Sequence, residues 1–96
     1  MDVDSTVKAK REEILRIAAQ YGASNIRLFG SRARGDARAD SDVDLLVDMP
    51  PRSSLLDVAR LMMDLQDVLG CKVDVVEPEG LHWYIRNKIL TEAIPL

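Results

Sequence analysis

Apolar positions along the chain switch between a helical period and strict alternation, and each switch marks an element boundary. Ile14, Ile17, Ala18 and Tyr21 repeat at helical spacing, while Lys10, Arg11, Glu12, Glu13 and Arg16 supply a wet side. One helix is therefore expected from an Asp4 or Ser5 cap to about Tyr21, stopped by Gly22. Asn25 to Phe29 alternates as a short strand and ends at Gly30. Ser31 to Ser41 holds no large apolar residue and reads as a loop with room for one helical turn. Val43 to Val47 is a second strand, closed by Pro50 and Pro51. Ser54 and Asp57 resemble a capping box, opening a helix that turns Leu55, Val58, Leu61, Met62, Leu65 and Val68 inward and stops at Gly70. Lys72 to Val76 is a third strand, and a last helix covers about Leu81 to Thr91.

The order is thus α-β-(turn)-β-α-β-α, an α/β (α+β) arrangement with a small mixed β-sheet and flanking helices. A helix between the second and third strands predicts a parallel crossover, whereas the loop after the first strand lets strands one and two run antiparallel. That topology brings the end of strand one and the starts of strands two and three to one edge of the sheet. Gly30, Ser31, Asp42, Asp44 and Asp74 are all expected there.

Ninety-six residues suit a single domain spanning 1–96, burying roughly two-thirds of its unfolded surface. An apolar fraction of 47% with 30% charged residues excludes disorder as the default. No apolar run approaches the ~18 residues that span a membrane, and no secretory signal is visible. The single cysteine, Cys71, leaves no internal disulfide and fits a reducing cytoplasm. A net charge of −3 argues against a nucleic-acid partner.

The acids are distributed unusually: five are Glu and eleven are Asp, a residue that favours caps, turns and cation binding over helix interiors. Asp42 and Asp44 lie on one strand face, roughly 6.6 Å apart at ~3.3 Å per residue. Asp74 interrupts an apolar strand. Three carboxylates at one edge repel each other unless a cation sits between them, and such hard oxygen ligands suit Mg²⁺. A calcium loop beginning at Asp40 fails, because Leu45 stands where that loop needs Gly and Pro51 where it needs Glu. Gly30-Ser31 offers bare backbone, an amide and a hydroxyl to a phosphate, and Arg32 and Arg34 would add cationic donors. An ordinary strand-ending turn is the plainer alternative for that pair.

Gly30-Ser31, ten residues, then Asp42-Val43-Asp44, with Asp74 on a later strand, resembles the signature of the DNA polymerase beta-like nucleotidyltransferase superfamily. The string from Gly30 to Gly35 and from Ser41 to Val47 is most similar to its smallest members, the minimal nucleotidyltransferases (MNT). The resemblance covers about Ile14 to Leu96. It implies a polymerase beta-like nucleotidyltransferase fold in which Asp42 and Asp44 hold two Mg²⁺ ions and Asp74 completes the site near the acceptor. It also implies ATP as substrate, with the β/γ-phosphates on Gly30-Ser31 and an acceptor hydroxyl attacking the α-phosphorus. Minimal nucleotidyltransferases typically accompany a HEPN-domain toxin encoded by an adjacent gene, as antitoxins of HEPN/MNT (type VII-like) toxin–antitoxin modules that move AMP onto a toxin tyrosine. Acceptor recognition is then expected from that partner or from a homo-oligomer. Two alternatives stand beside this: a non-catalytic antitoxin that masks its partner, and a transferase for a small-molecule or RNA hydroxyl.

Trp83 and Tyr84 are expected to cover the sheet, with an aromatic anchor for a partner protein as the alternative. His82 has no visible ligand set. Core packing accounts for Met62 and Met63.

Overall fold

A computed structural model of the protein describes residues 4–36, 38 and 41–96; Asp40 lies outside the described residues. The first helical stretch divides into α1 (Ser5–Ala9) and α2 (Arg11–Gln20), with the chain turning at Lys10 (φ −108°, ψ 10°) instead of running through. Asp4 caps α1, its carboxylate accepting from the amides of Thr6 at 3.0 Å and Val7 at 3.4 Å. β1 (Ser24–Phe29) follows, then a single helical turn, α3 (Ser31–Arg34), then β2 (Val43–Asp48). α4 (Leu55–Leu69) opens with the anticipated capping box, in which Ser54 and Asp57 exchange side-chain and backbone hydrogen bonds, and closes at Gly70 in the left-handed region. β3 (Val73–Val76), a short 3₁₀ turn at Pro78–Gly80, α5 (Trp83–Glu92) and β4 (Ile94–Pro95) complete the chain.

One mixed sheet runs in the order β3-β2-β1-β4. β2 lies antiparallel to β1 and parallel to β3, as the connection lengths require. β4 was not anticipated. It pairs antiparallel with β1 through Leu28↔Ile94 and Arg27↔Pro95, and two residues carry too little pattern to be read as a strand.

The two faces of the sheet differ. One carries Ile26, Leu28, Val43, Leu45, Val47, Val73 and Val75, which pack with Val7, Ile14, Ile17 and Ala18 of the first two helices and Leu61, Leu65 and Leu69 of α4. Each fully buried aliphatic side chain of this set contributes about 1.5–3 kcal/mol. The other face carries Arg27, Phe29, Asp44, Leu46, Asp74 and Val76, as the register Phe29↔Asp44↔Asp74 shows.

Three expectations about burial are corrected. Leu55 is 89% exposed, since it is the first residue of α4, and the inward row is Leu61, Leu65 and Leu69 at four-residue spacing. Met63 is also exposed, while Met62 packs against the core. Trp83 and Tyr84, expected on the sheet, are 75% and 65% exposed. They stack instead around His82, with His82–Tyr84 ring centroids 4.3 Å apart. No helix among the described residues is long and apolar enough to cross a membrane.

Candidate active site

The site is assembled where three strands present their ends. Strand pairing sets Asp44 directly opposite Phe29 on β1 and Asp74 on β3, so Gly30, Asp44 and Asp74 converge on one edge as the topology predicts. Asp42 precedes β2 by one residue and lies half-buried beside the same edge.

Gly30 has a tighter reason to be glycine than phosphate access alone. Its φ of +77° is in the left-handed region, and a β-carbon there would collide with the Asp44 carboxylate, lying 3.2 Å from its Cγ. The turn is pinned by the Gly30 carbonyl, which accepts from the amides of Ala33 and Arg34, each at 3.1 Å. Among the described residues the Ser31 hydroxyl has no hydrogen-bond partner, so it remains available to a ligand.

The electrostatics of the edge centre on Asp44. Burial, followed by repulsion from the Asp74 and Asp42 carboxylates, pushes the Asp44 carboxyl above the usual carboxylate range. A hydrogen bond shared with Asp74 adds to the rise, while Arg34 pulls in the opposite direction. Asp42 leans toward Lys72, its Oδ2 being 3.9 Å from Nζ. No three His, Cys, Asp or Glu side chains among the described residues close into a ready-made cation cage. The donor chemistry nevertheless fits a hard divalent cation: carboxylate oxygens only, mutually repelling, with one of them held partly out of water.

The two arginines of the turn part company. Arg32 is 4% exposed, its NH1 nitrogen 3.1 Å from Asp4 Oδ1 and its NH2 nitrogen 2.7 Å from the Ser41 carbonyl. It straps the turn to the start of α1 and to the approach of β2. Arg34 is about half exposed, lies 3.4 Å from Asp36 and 3.8 Å from Glu92, and acts on Asp44 through space. The burial of Arg32 depends on Asp4, 28 residues away, and the sequence carried no signal of that pairing.

A model of the nucleotidyltransferase domain matches residues 11–96. The chain belongs to this family. This nucleotidyltransferase is 36% identical to the protein adenylyltransferase MntA of Thermococcus cleftensis over 93 residues, covering 97% of the chain and 91% of the relative. A Methanocaldococcus jannaschii protein with a provisional protein adenylyltransferase name is 37% identical over 84 residues, covering 88% and 90%. A solved structure provisionally described as a minimal nucleotidyltransferase superposes with a TM-score of 0.86 at 49% identity, covering 100% of this chain and 97% of that one. A toxin–antitoxin crystal structure with AMP-PNP gives a TM-score of 0.76 at 21% identity, covering 88% and 69%, a likeness of fold. The protein is a minimal nucleotidyltransferase of the polymerase beta-like superfamily, and its mixed sheet is the fold expected of one.

Proposed function

We propose that this nucleotidyltransferase moves AMP from ATP to a tyrosine hydroxyl on a partner protein, a HEPN-domain toxin, and so serves as the antitoxin of the pair. The observation that carries the reading is the Asp44 carboxyl, crowded by Asp74 and Asp42 and pressed against a glycine that has no side chain to shield it. Such crowding of like charges is costly to the fold and is relieved where a cation binds. The protein adenylyltransferase name of the Thermococcus cleftensis relative favours AMP and a protein acceptor.

Asp42, Asp44 and Asp74 would hold Mg²⁺. When bound, Mg²⁺ supplies charge neutralisation for the phosphates and acidifies the acceptor hydroxyl. The Gly30-Ser31 turn offers backbone amides to the phosphate chain, and glycine at position 30 leaves room beside it for the Asp44 carboxylate. The free Ser31 hydroxyl and the exposed Arg34 guanidinium donate to phosphate oxygens, while Arg32 keeps the turn in place. The acceptor oxygen–phosphorus bond forms as the bond from the α-phosphorus to the bridging oxygen breaks, the hydroxyl proton passes to solvent, and pyrophosphate departs.

A second reading, masking without chemistry, is favoured by the exposed Trp83 and Tyr84, which suit a protein contact. Incubating the partner encoded by the neighbouring gene with this protein, ATP and Mg²⁺ separates the two. Transfer adds about 329 Da per nucleotidyl group, since attack at the α-phosphorus expels pyrophosphate. Asp74→Asn should suppress the added mass. A partner left unmodified, yet silenced equally by wild type and Asp74→Asn, decides for masking.

A further inference from the structure

Asp42 stands one residue before β2, at the end of the segment that joins α3 to that strand. Contacts on both sides fix its backbone. The Ser41 carbonyl, part of the peptide group that joins Ser41 to Asp42, accepts from two nitrogens of the Arg32 guanidinium, Nε at 3.1 Å and a terminal nitrogen at 2.7 Å. On the other side the Val43 amide donates to the Lys72 carbonyl at 2.9 Å. Arg32 belongs to α3, so one side chain reaches from the glycine-serine turn to the peptide of a candidate metal ligand. Its other terminal nitrogen donates to Asp4 Oδ1 at 3.1 Å, the same oxygen that caps α1. The guanidinium is buried, where charge-assisted hydrogen bonds are strong and little screened.

We propose that Arg32 is a positioning residue that sets Asp42 against the Gly30-Ser31 turn, with Asp4 as its anchor, so that the start of α1 helps to hold the metal site in shape. The inference rests on the reading of the carboxylate edge as a Mg²⁺ site and adds what keeps one ligand in place. Carboxylates that repel one another separate unless their backbone is held. The Asp42 side chain lies 3.9 Å from the Lys72 ammonium, too loose a contact to hold it. The restraint therefore comes through the main chain, and the Ser41 carbonyl is where Arg32 applies it. Arginine is the side chain suited to this task. Its planar fork places two N–H groups on one carbonyl and a third on a carboxylate, whereas a lysine ammonium is a compact point charge.

Arg32→Lys keeps the buried positive charge and removes the fork. Asp4→Ser keeps a good helix cap and removes the carboxylate that faces Arg32. The full chain is titrated with Mn²⁺, an oxygen-seeking stand-in for Mg²⁺, without nucleotide, and free Mn²⁺ is followed by electron paramagnetic resonance. Arg32→Lys should weaken Mn²⁺ binding roughly tenfold or more per folded chain, as loss of a partner behind a metal ligand commonly does. Asp4→Ser should weaken it about threefold, and it decides alone if Arg32→Lys does not fold. Arg32→Lys combined with Asp42→Asn should bind Mn²⁺ as Asp42→Asn alone does, because the effect of Arg32 passes through Asp42. Unchanged Mn²⁺ affinity in the folded variants overturns the proposal, since a merely structural arginine alters the folded fraction and not the affinity. A loss that persists in full beside Asp42→Asn overturns it too. So does a fall in tripolyphosphate affinity at saturating Mg²⁺, which would make Arg32 a phosphate donor. A wild type that binds no Mn²⁺ overturns the reading of the carboxylate edge itself.

Discussion

α4 and α5 are both connected to strands of the same sheet, yet they are built on opposite plans. α4 has fifteen residues, a capping box, a left-handed glycine stop and a row of three buried leucines. α5 has ten residues, no side-chain cap and no buried residue, and it exposes Trp83, Tyr84 and Leu90. The first is fixed by its own sequence and by the core it covers. The second is held through Glu92 and the β4 pairing that follows it, and it borders the carboxylate face. The same sheet therefore has a face devoted to stability and a face on which stability is given up to collect like charges. Local stability of this uneven kind is typical where ligands bind.

Substitution at the carboxylate edge should cost activity without costing the fold. Asp44→Asn is expected to lower nucleotide transfer by roughly a thousandfold, equivalent to about 4 kcal/mol, with a melting temperature level or raised. Near-normal transfer would remove Asp44 from the ligand set. The converse change is Leu65→Ala on α4, expected to destabilise by about 2–5 kcal/mol in denaturant titrations while transfer per folded molecule stays constant. If Leu65→Ala altered transfer and left stability alone, the division between the two faces would be wrong.

A smaller effect follows from the raised Asp44 carboxyl. A carboxyl that binds its proton more tightly when folded than its ordinary value of 3.8 gives stability that is fully present below that value. This stability is lost as pH rises through the native pKa. Asp44→Asn should therefore flatten the fall in stability between mildly acidic and neutral pH, and Mg²⁺ should do the same in the wild type by opposing the repulsion. Identical pH slopes for wild type and Asp44→Asn, measured by denaturation, would contradict the crowding of the edge. The least effect is expected at Trp83→Ala, within about 0.5 kcal/mol of wild type by thermal melting, because a ring 75% exposed contributes little to the isolated fold. A larger loss would mean that α5 is packed more firmly than its exposure indicates.

Much of this was written locally. Gly70, the Ser54–Asp57 box and the paired prolines each act through adjacent backbone, so element order and the alternation that places Asp42 and Asp44 on one face could be read residue by residue. The meeting of Asp44 with Asp74 was also legible, since a helical crossover forces β2 and β3 parallel. Tertiary structure decided what depends on distant partners. The turn at Lys10 lets Asp4 both cap α1 and reach Arg32, and Arg32 is withdrawn from solvent by that contact and by Ser41. β4 exists because Ile94 and Pro95 find a free edge on β1, and two residues have no period of their own. Gly30 must be glycine for the sake of Asp44, fourteen positions later. The aromatic residues at the start of α5 lie in water, and no spacing along a chain encodes which of its apolar residues the tertiary structure leaves uncovered.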